Sequence, residues 1–367
     1  MEDPPVQGLV VRGWRSDSSG GHDRRSRETS MSGTRSAIWR TALLAATGVA
    51  ALAAVACGGD EAEPKPAATV TAAATQSNAA VPTAAAAVKV GYAFPDKLVT
   101  TAWVAENAAK PNVVLLDLRK KEDYDAGHIA GASWINTADL STTDKNGVKG
   151  QIAPADKVAA ALSAVGAKPD STIVLYDASN NLISARTLWV FEVYGHKDVR
   201  IMDGTWTLWR SEGKPVTKDA AKRTATQYAF TAAPNEGIIA NFDEIVKAVG
   251  DPSKVVCDAR TPEEYAGRDV RSKNGGHVPG ALNVNYTLAN NKDGKFLPAE
   301  DLRKLYNDAG VKASDSQTVY TYCQTGVRAA HSWFVLKYLV GYKNVENYDG
   351  SWEEWGNKDG AKIETSR

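Results

Sequence analysis

Short β-branched and aromatic runs alternate along the chain with segments that keep one helical face apolar. Residues 113–116, 173–176, 255–257 and Thr318–Tyr322 are runs of a length that suits one buried strand each. The apolar positions within 330–338 recur instead at helical spacing. Strands that alternate with helices predict an α/β fold with a mostly parallel central sheet flanked by helices. Ligands of such sheets bind beyond the carboxyl ends of the strands.

The sequence contains one clear signal for the start of a helix. Thr261 and Glu264 have the spacing of a capping box, and Pro262 occupies the first helical position between them. This signal directly follows Asp258 and Arg260, which end the predicted strand 255–257. A strand that passes at once into a helix places Asp258 and Arg260 at the ligand-binding edge of the sheet.

The chain contains the same unit twice, at a spacing of about 146 residues. That spacing is too long for a solenoid repeat and suits a duplicated domain. The matching segments are 116–119 with 257–260, 127–132 with 276–281, 195–199 with 341–345, and 203–209 with 349–355. We therefore predict a first domain at 89–215, a polar linker at 216–236 and a second domain at 237–367.

The amino-acid composition argues against several classes of protein. The chain has 367 residues, of which 43% are hydrophobic, so it can build real cores. Its 43 basic and 43 acidic residues cancel, which argues against a nucleic-acid partner. Three cysteines, Cys57, Cys257 and Cys323, are too few and too scattered for a disulfide framework or a CxxC metal site, and no metal is expected.

The first 57 residues are typical of a leader and signal peptide. Arg35 and Arg40 precede the uncharged, Ala/Leu/Val-rich run 41–56, which is short for a membrane span. The quartet 54–57 resembles a bacterial lipobox, whose cysteine, here Cys57, would be lipidated. Residues 58–88 are rich in Ala, Thr and Pro and predict a disordered stalk. We expect an extracytoplasmic protein held to the membrane by a lipid anchor only, or secreted or periplasmic if Cys57 is not lipidated.

Cys323 carries the chemistry that the sequence predicts. It follows the buried run Thr318–Tyr322 and precedes a loop and a helix expected to begin near Ala329. In such a loop the free backbone amides and the helix dipole converge, and a thiol there ionises readily. Gly326 permits a tight turn around the sulfur, and Arg328 adds a cation. We interpret Cys323 as a nucleophile and Cys257, at the end of a buried strand, as inert.

Together these motifs resemble the two-domain rhodanese family of sulfurtransferases, across nearly all of residues 90–360. The resemblance rests on the loop 323–328, on the segments 258–260 and 276–281, and on the segment 349–352. It implies tandem rhodanese-like domains of which only the second is catalytic. The repeat places Asp177 opposite Cys323, and because a carboxylate cannot accept sulfur, the first copy is expected to be inactive.

The resemblance also implies a double displacement. Cys323 would take the outer sulfur of a small anionic donor such as thiosulfate, hold it as a persulfide ringed by loop amides, and pass it to a thiophilic acceptor such as cyanide or a thiol. No cofactor is required, and a monomer is expected. Substrate binding is assigned to Arg328 and Arg260 and to the loop residues Gln324, Thr325, Gly326 and Val327. Asp258 is assigned to structural support, and Arg260 is weighed between substrate binding and a scaffold pair with Asp258.

Three alternatives remain open. Mercaptopyruvate sulfurtransferases resemble this chain but carry an arginine where Glu264 stands; Arg268 or Arg271 could supply that charge instead. Phosphatases of related fold place an arginine six positions after the cysteine, where this chain has Ala329. A persulfide carrier or tethered binding module would share the loop without turning over small donors.

Overall fold

Two parallel sheets dominate the structure. The structure is a computed structural model that describes residues 91–366, and both sheets belong to one compact unit within this range. The predicted leader, the stalk and Cys57 lie outside the described residues. Within residues 91–366, no helix combines the length and apolarity needed to cross a lipid bilayer.

The first copy forms a five-stranded parallel sheet with the strand order β1-β7-β6-β2-β3. Its central strands β2 and β6 are buried at every residue, as expected where helices cover both faces of a parallel sheet. The strands are β1 Leu98–Val99, β2 Val113–Asp117, β3 Ser133–Trp134, β6 Thr172–Tyr176 and β7 Val199–Met202, with a separate antiparallel pair, β4 Ser141–Thr142 and β5 Gln151–Ile152.

Helices connect these strands and cover the sheet. Helix α4 is buried on nearly all sides, which indicates that it lies between two packed layers and not on the surface. The helices of this copy are α1 Thr101–Asn107, α2 Lys121–Ala126, α3 Ala155–Ala164, α4 Leu182–Val193 and α5 Thr205–Ser211, with 3₁₀ turns at Pro95–Lys97 and Thr137–Leu140.

The second copy repeats the arrangement in a five-stranded parallel sheet of order β10-β9-β11-β12-β8. Its strands are β8 Ile239–Ala240, β9 Lys254–Asp258, β10 Leu282–Asn283, β11 Thr318–Tyr322 and β12 Asn344–Tyr348. Its helices are α6 Phe242–Ala248, α7 Pro262–Tyr265, α8 Ala299–Asp308, α9 Val327–Phe334 and α10 Ser351–Trp355, with a π-helical continuation of α9 at Val335–Val340 and 3₁₀ turns at Glu236–Ile238 and Tyr286–Ala289. The predicted tandem α/β fold is confirmed.

Helices α4 and α9 pack against each other and join the two copies. One apolar cluster contains Trp189 and Phe191 from α4 together with Ala330 and Trp333 from α9, all fully buried. Burial of such large side chains between the copies is a strong apolar contribution to their association. The two copies therefore share a core, and the end of each sheet lies close to the other copy.

The segment 216–236 does not run free between the domains. Thr217 exchanges two backbone hydrogen bonds of 2.9 Å with His128 of the first copy. The hydroxyl of Tyr228 lies 2.7 Å from Nδ1 of the buried His196. The expected polar linker is thus a strap on the first domain, because its backbone groups and aromatic side chains find partners there.

Candidate functional site

Cys323 lies at the carboxyl end of the middle strand of the second sheet. Strand β11 ends at Tyr322 between β9 and β12, and helix α9 begins at Val327, two residues earlier than the sequence predicts. The carboxyl edge of a parallel sheet is where ligands of α/β folds bind. The loop 323–326 therefore connects a rigid strand to a helix N-terminus with only four residues.

Gly326 gives this loop its tight turn. Its φ of 76° is in the left-handed region, as the sequence predicts, and it forms the N-cap of α9. A Cβ at this position would lie 2.7 Å from Oδ1 of Asp349 and 3.1 Å from Nη1 of Arg186. Any other residue would therefore collide with the side chains of Asp349 and Arg186, and its backbone would be strained.

Ser351 holds the loop 323–326 in place through hydrogen bonds. Its hydroxyl oxygen accepts hydrogen bonds from the amides of Cys323, at 3.1 Å, and Gly326, at 3.0 Å, and its O–H donates to the carbonyl of Tyr348 at 2.7 Å. The amides of Gln324, Thr325 and Val327 have no acceptor among residues 91–366. Unpaired amides at a helix N-terminus can stabilise an anion, and here that anion would be the sulfur of Cys323.

The first copy shows what this loop geometry can hold. Asp177 occupies the position equivalent to Cys323, and its carboxylate accepts hydrogen bonds from the amides of Ser179 at 2.8 Å, Asn181 at 3.1 Å and Ser184 at 2.8 Å. Burial raises the pKa of Asp177, and these hydrogen bonds act in the opposite direction. Ser179 and Asn181 correspond to Thr325 and Val327. The same two amide positions that face a carboxylate in one copy are unpaired in the other.

The thiol of Cys323 lies one side chain beneath the surface. The residue is only 1% exposed, and it packs with Ala259 and Ala329 against the half-buried ring of Tyr286. This burial shields the sulfur from bulk water, and Tyr286 is the partly exposed member of the cluster around it.

Arg328 lies beside the thiol but is bound to Glu264. Its Nη1 and Nη2 donate to Oε2 and Oε1 of Glu264 at 2.6 and 2.7 Å. Burial opposes the charge on Arg328, but the hydrogen bonds to Glu264 and the nearby sulfur of Cys323 raise its pKa overall. Burial also opposes the charge on Glu264, yet Arg328, with help from the Thr261 amide and Arg271, lowers the pKa of Glu264 to about 2. The pair is ionised at any physiological pH.

A second guanidinium stands at the outer side of this pair. Nη1 of Arg271 lies 3.5 Å from Oε1 of Glu264, and its side chain is 50% exposed. The neighbouring Ser272 accepts a hydrogen bond of 2.9 Å from the side-chain amide of Gln324 in the cysteine loop. The segment around 271–272 therefore borders the loop. Nε and Nη2 of Arg271 donate to Asp269 at 3.0 and 2.6 Å, which leaves Nη1 as the nitrogen of this half-exposed cation that has no hydrogen bond within residues 91–366. Arg268 pairs instead with the exposed Glu263.

Arg260 is buried and paired with Asp258, and its assignment to substrate binding stays a prediction. Its side chain is 1% exposed, binds both carboxylate oxygens of Asp258, and donates to the carbonyl of Gly276 at 2.7 Å. Its guanidinium also lies 4.4 Å from the centre of the Trp352 ring. Nε and Nη2 of this arginine are thus engaged by protein partners, which favours the alternative weighed from sequence, a structural pair with Asp258.

The remaining loop residues divide between site and scaffold. Gln324 and Val327 are half-buried, and the side-chain oxygen of Gln324 is buried without a hydrogen-bond partner within residues 91–366. Thr325 lies against the first domain, where a Cβ at Gly150 would come within 2.9 Å of its Cβ. Their assignment to substrate binding stays a prediction, which for Gln324, Thr325 and Val327 depends mainly on their backbone amides.

Cys257 has the opposite surroundings to Cys323. It is fully buried in the large apolar cluster, and burial raises the pKa of its thiol, with a smaller effect from Asp258. A thiol in such a place stays protonated and has no access to reagents. The structure thus separates one cysteine that adjoins unpaired amides and a guanidinium from one that has neither.

The domain model described as Rhodanese-like domain matches this chain twice, at residues 100–212 and 241–358. A sulfur carrier protein named TtuD from Thermus thermophilus is 37% identical over 288 residues, which cover 75% of this chain and 98% of the relative. A thiosulfate sulfurtransferase of Corynebacterium glutamicum is 34% identical over 287 residues, covering 75% of this chain and 92% of the relative.

Among solved structures, an anaerobic ergothioneine biosynthesis enzyme from Chlorobium limicola superposes with a TM-score of 0.66. The sequence identity is 21%, and the match covers 75% of this chain and 71% of the other. At that identity the likeness concerns the fold alone.

Proposed function

Because the chain belongs to the rhodanese family of sulfurtransferases, we propose that it moves the outer sulfur of thiosulfate to a thiophilic acceptor through a persulfide on Cys323. The acceptor class is cyanide or a low-molecular-weight thiol. The single observation that carries the proposal is the cysteine loop, in which the amides of Gln324, Thr325 and Val327 are unpaired around a thiol at a helix N-terminus.

The reaction has two balanced steps. The thiolate of Cys323 attacks the outer sulfur of thiosulfate, a new S–S bond forms, and the old S–S bond breaks with its electron pair leaving on sulfite. The acceptor then attacks the outer sulfur of the persulfide, and the electron pair of that S–S bond returns to Cys323 as thiolate. Each step transfers a formally neutral sulfur atom, so no external oxidant or reductant is needed.

The loop amides stabilise the negative charge that is present on sulfur before and between the two steps. Before the first step the charge is on the thiolate, and between the steps it is on the outer sulfur of the persulfide. Amide donors held by a rigid strand and helix need no reorganisation to stabilise either anion. Asp177 supports this reading because, in the first copy, the equivalent amides already bind an anionic group.

Two arginines beside the loop have different roles in this proposal. Arg328 was expected to bind the donor directly, but Glu264 occupies both of its terminal nitrogens. We assign Arg328 to the stabilisation of the Cys323 sulfur, and we assign the half-exposed Arg271 to the sulfonate end of thiosulfate. The donor end that becomes sulfite would thus leave from the solvent side of the site, where release is easiest.

A persulfide carrier is the second candidate. The similarity to the sulfur carrier protein of Thermus thermophilus favours it, as does the burial of Cys323, which suits storage of a sulfur that water and oxidants should not reach. A carrier would load from a donor once and wait for a protein acceptor. 3-Mercaptopyruvate remains the alternative donor. Glu264 stands where mercaptopyruvate sulfurtransferases carry an arginine, but it is paired with Arg328, and the half-exposed Arg271 beside it is a cation that could meet a donor carboxylate.

One assay separates these functions. Purified protein is incubated with thiosulfate and cyanide, and thiocyanate is measured over time, in parallel with 3-mercaptopyruvate as donor. Continuous thiocyanate formation with thiosulfate, lost in Cys323→Ser and kept in the matched Cys257→Ser variant, supports the proposal. One equivalent of product per protein would identify a carrier. Faster turnover with 3-mercaptopyruvate would overturn the choice of donor.

We propose further that Cys57 is lipidated and anchors the protein on the outer face of the membrane. The supporting observation is the run of small residues before Cys57, followed by a stalk long enough to hold the domains away from the bilayer. A Cys57→Ala variant expressed in a lipoprotein-processing bacterium should lose incorporated fatty acid and leave the membrane fraction. Retention of label in this variant would refute the anchor.

A further inference from the structure

An ion pair crosses from the first copy to the cysteine loop of the second. Nη1 of Arg186, on α4, lies 2.6 Å from Oδ1 of Asp349, which follows β12. The two side chains are 9% and 7% exposed, so water screens them weakly. Arg186 also donates from Nη2 to the carbonyl of Gly150 at 3.0 Å, which ties it to the loop between β4 and β5 of its own copy.

Strand β5, which follows that loop, holds Asp349 from the other side. The amide of Ile152 donates to Oδ2 of Asp349 at 2.7 Å, and the side chain of Gln151 donates to its carbonyl at 3.1 Å. Both carboxylate oxygens of a second-domain aspartate are therefore engaged by the first domain. The copy without a catalytic cysteine therefore helps to fix the position of the Asp349 side chain.

The pair lies directly against the catalytic loop. The distances from a Cβ placed at Gly326, 2.7 Å to Asp349 and 3.1 Å to Arg186, show that both charged groups touch this glycine. Two residues after Asp349, the hydroxyl of Ser351 holds the amides of Cys323 and Gly326. A shift of Asp349 would move the support on which the loop rests.

The first copy offers an internal comparison in which the arginine is missing. Asp203 is the equivalent of Asp349, and its Oδ1 accepts a hydrogen bond of 3.0 Å from the amide of Phe296 of the other copy. The residue equivalent to Arg186 is Ser332, so no arginine from the second copy compensates Asp203. Burial raises the pKa of Asp203 to about 6, and Phe296 and Lys295 only partly offset this.

A carboxylate beside a loop that must hold an anionic sulfur is a disadvantage unless a cation neutralises it. At short range and in a poorly screened place, one uncompensated charge shifts the ionisation of a neighbour by about a unit or more. The loop around Asp177 has no sulfur to ionise, and the neighbouring Asp203 has no arginine partner from the second copy within residues 91–366. The catalytic loop contains the Cys323 sulfur, and the neighbouring Asp349 is paired with Arg186.

We propose that Arg186 is a positioning residue for sulfur transfer, which the non-catalytic domain supplies. It neutralises Asp349 and keeps Ser351 hydrogen-bonded to the loop 323–326. As a result, Cys323 ionises and its persulfide is stable. The proposal rests on the function proposed above and gives the first domain a role in it.

Several charged groups besides this pair surround Cys323 and are unchanged in the experiment. They are Arg328 with Glu264, Arg271 with Asp269, Arg260 with Asp258, and Glu353 near Gln324. His331 on α9 is buried, which lowers its pKa to about 4, so it is neutral over the range of the test.

The test measures the ionisation of Cys323 in the full chain. The rate of alkylation by iodoacetamide is followed from pH 5 to 10 at the peptide that contains Cys323, for wild type, Arg186→Met, Asp349→Asn and the double variant. Arg200→Met, which removes an arginine of the first domain that is paired with Asp198 far from the loop in the fold, is the matched control. Circular dichroism verifies folding.

The charges predict opposite shifts for the two single variants. Arg186→Met should raise the midpoint of alkylation by about one pH unit, and Asp349→Asn should lower it by a similar amount. The double variant should return close to wild type, and Arg200→Met should not differ from it. Arg186→Lys should restore most of the wild-type midpoint, because it restores the charge.

Other outcomes overturn the inference. An unchanged midpoint in folded Arg186→Met does so, and so do single variants that shift in the same direction, since that pattern indicates a packing role only. If Arg186→Met does not fold, Asp349→Asn decides alone: a lowered midpoint supports the inference, and a raised or unchanged one refutes it. Alkylation needs no donor, so a failure of thiosulfate turnover in wild type would refute the proposed function separately.

Discussion

Glu264 links the capping of one helix to the charge balance of the cysteine loop. It closes the capping box of α7 with Thr261, as the sequence predicts, and its carboxylate also binds Arg328 through two hydrogen bonds. Its side chain is 1% exposed, whereas that of Arg328 is 16% exposed. Glu264→Gln preserves the shape and one acceptor for the cap while it removes the charge.

The expected loss of stability follows from the pKa of this group. Folding lowers the pKa of Glu264 from 4.5 to about 2, mainly because Arg328 outweighs the effect of burial. At 1.36 kcal/mol per unit this difference corresponds to roughly 3 kcal/mol, and screening at the partly exposed Arg328 end reduces it to about 2 kcal/mol. Because the folded-state pKa is the lower one, the stabilisation is complete above pH 4.5 and is lost as the pH falls toward 2.

Thermal and urea unfolding of wild type and Glu264→Gln at pH 7, 5, 4 and 3 test this value. At pH 7 the variant should be less stable by about 2 kcal/mol, which lowers the melting temperature by about 4–8 °C for domains of this size. The difference should shrink below pH 4. Glu263→Gln, a neighbouring exposed carboxylate on the same helix, should change little. A difference between wild type and Glu264→Gln that stays constant from pH 7 to 3 would refute the ion-pair argument.

Further substitutions probe the site itself. Ser351→Ala removes the acceptor of two loop amides and should slow thiocyanate formation by roughly 10-fold or more in a folded protein; an unchanged rate would mean that the loop needs no such support. Arg271→Met should raise the KM for thiosulfate several-fold with little change in kcat, and an unaltered KM would place the donor elsewhere. Asp177→Asn should leave sulfur transfer at the wild-type rate, and a strong loss would show that the first loop takes part in the reaction.

Much of the catalytic loop could be predicted from sequence because its determinants are local. A buried strand, a cysteine, a glycine and a helix start follow one another within about ten residues, and the backbone needs only those signals to form the turn. The capping box at Thr261 is local in the same way. The equivalence of Asp177 and Cys323 followed from the internal repeat, because the two copies share local sequence patterns.

The contacts of the charged groups could not be predicted in this way. Glu264 is 64 residues from Arg328 along the chain, and only the packing of α7 beside α9 shows that the two neutralise each other. The sequence showed only that Glu264 stands in the place of an arginine, and it gave no sign of the partner Arg328. Arg186 and Asp349 meet only because α4 and α9 pack together, which a periodicity argument cannot see.

Ser351 was missed although the sequence contained a signal. Its segment served only as part of the repeat and of the family resemblance, yet both copies have a hydroxyl residue at this position, Thr205 in the first. Both residues take a positive φ, 61° at Thr205 and 49° at Ser351, which is uncommon for residues with a Cβ. A hydroxyl repeated after Asp-Gly could have suggested a hydrogen-bonding role at the loop.

A persulfide on Cys323 adds the mass of one sulfur atom to the protein, so mass spectrometry detects it without any assumption about the acceptor. The purified protein is incubated with thiosulfate, desalted and analysed intact and after proteolysis without reductant. The account predicts a gain of one sulfur atom on the peptide that contains Cys323, absent in Cys323→Ser and removed by cyanide with release of thiocyanate. Protein that gains no sulfur, or that gains it equally in Cys323→Ser, would contradict the account.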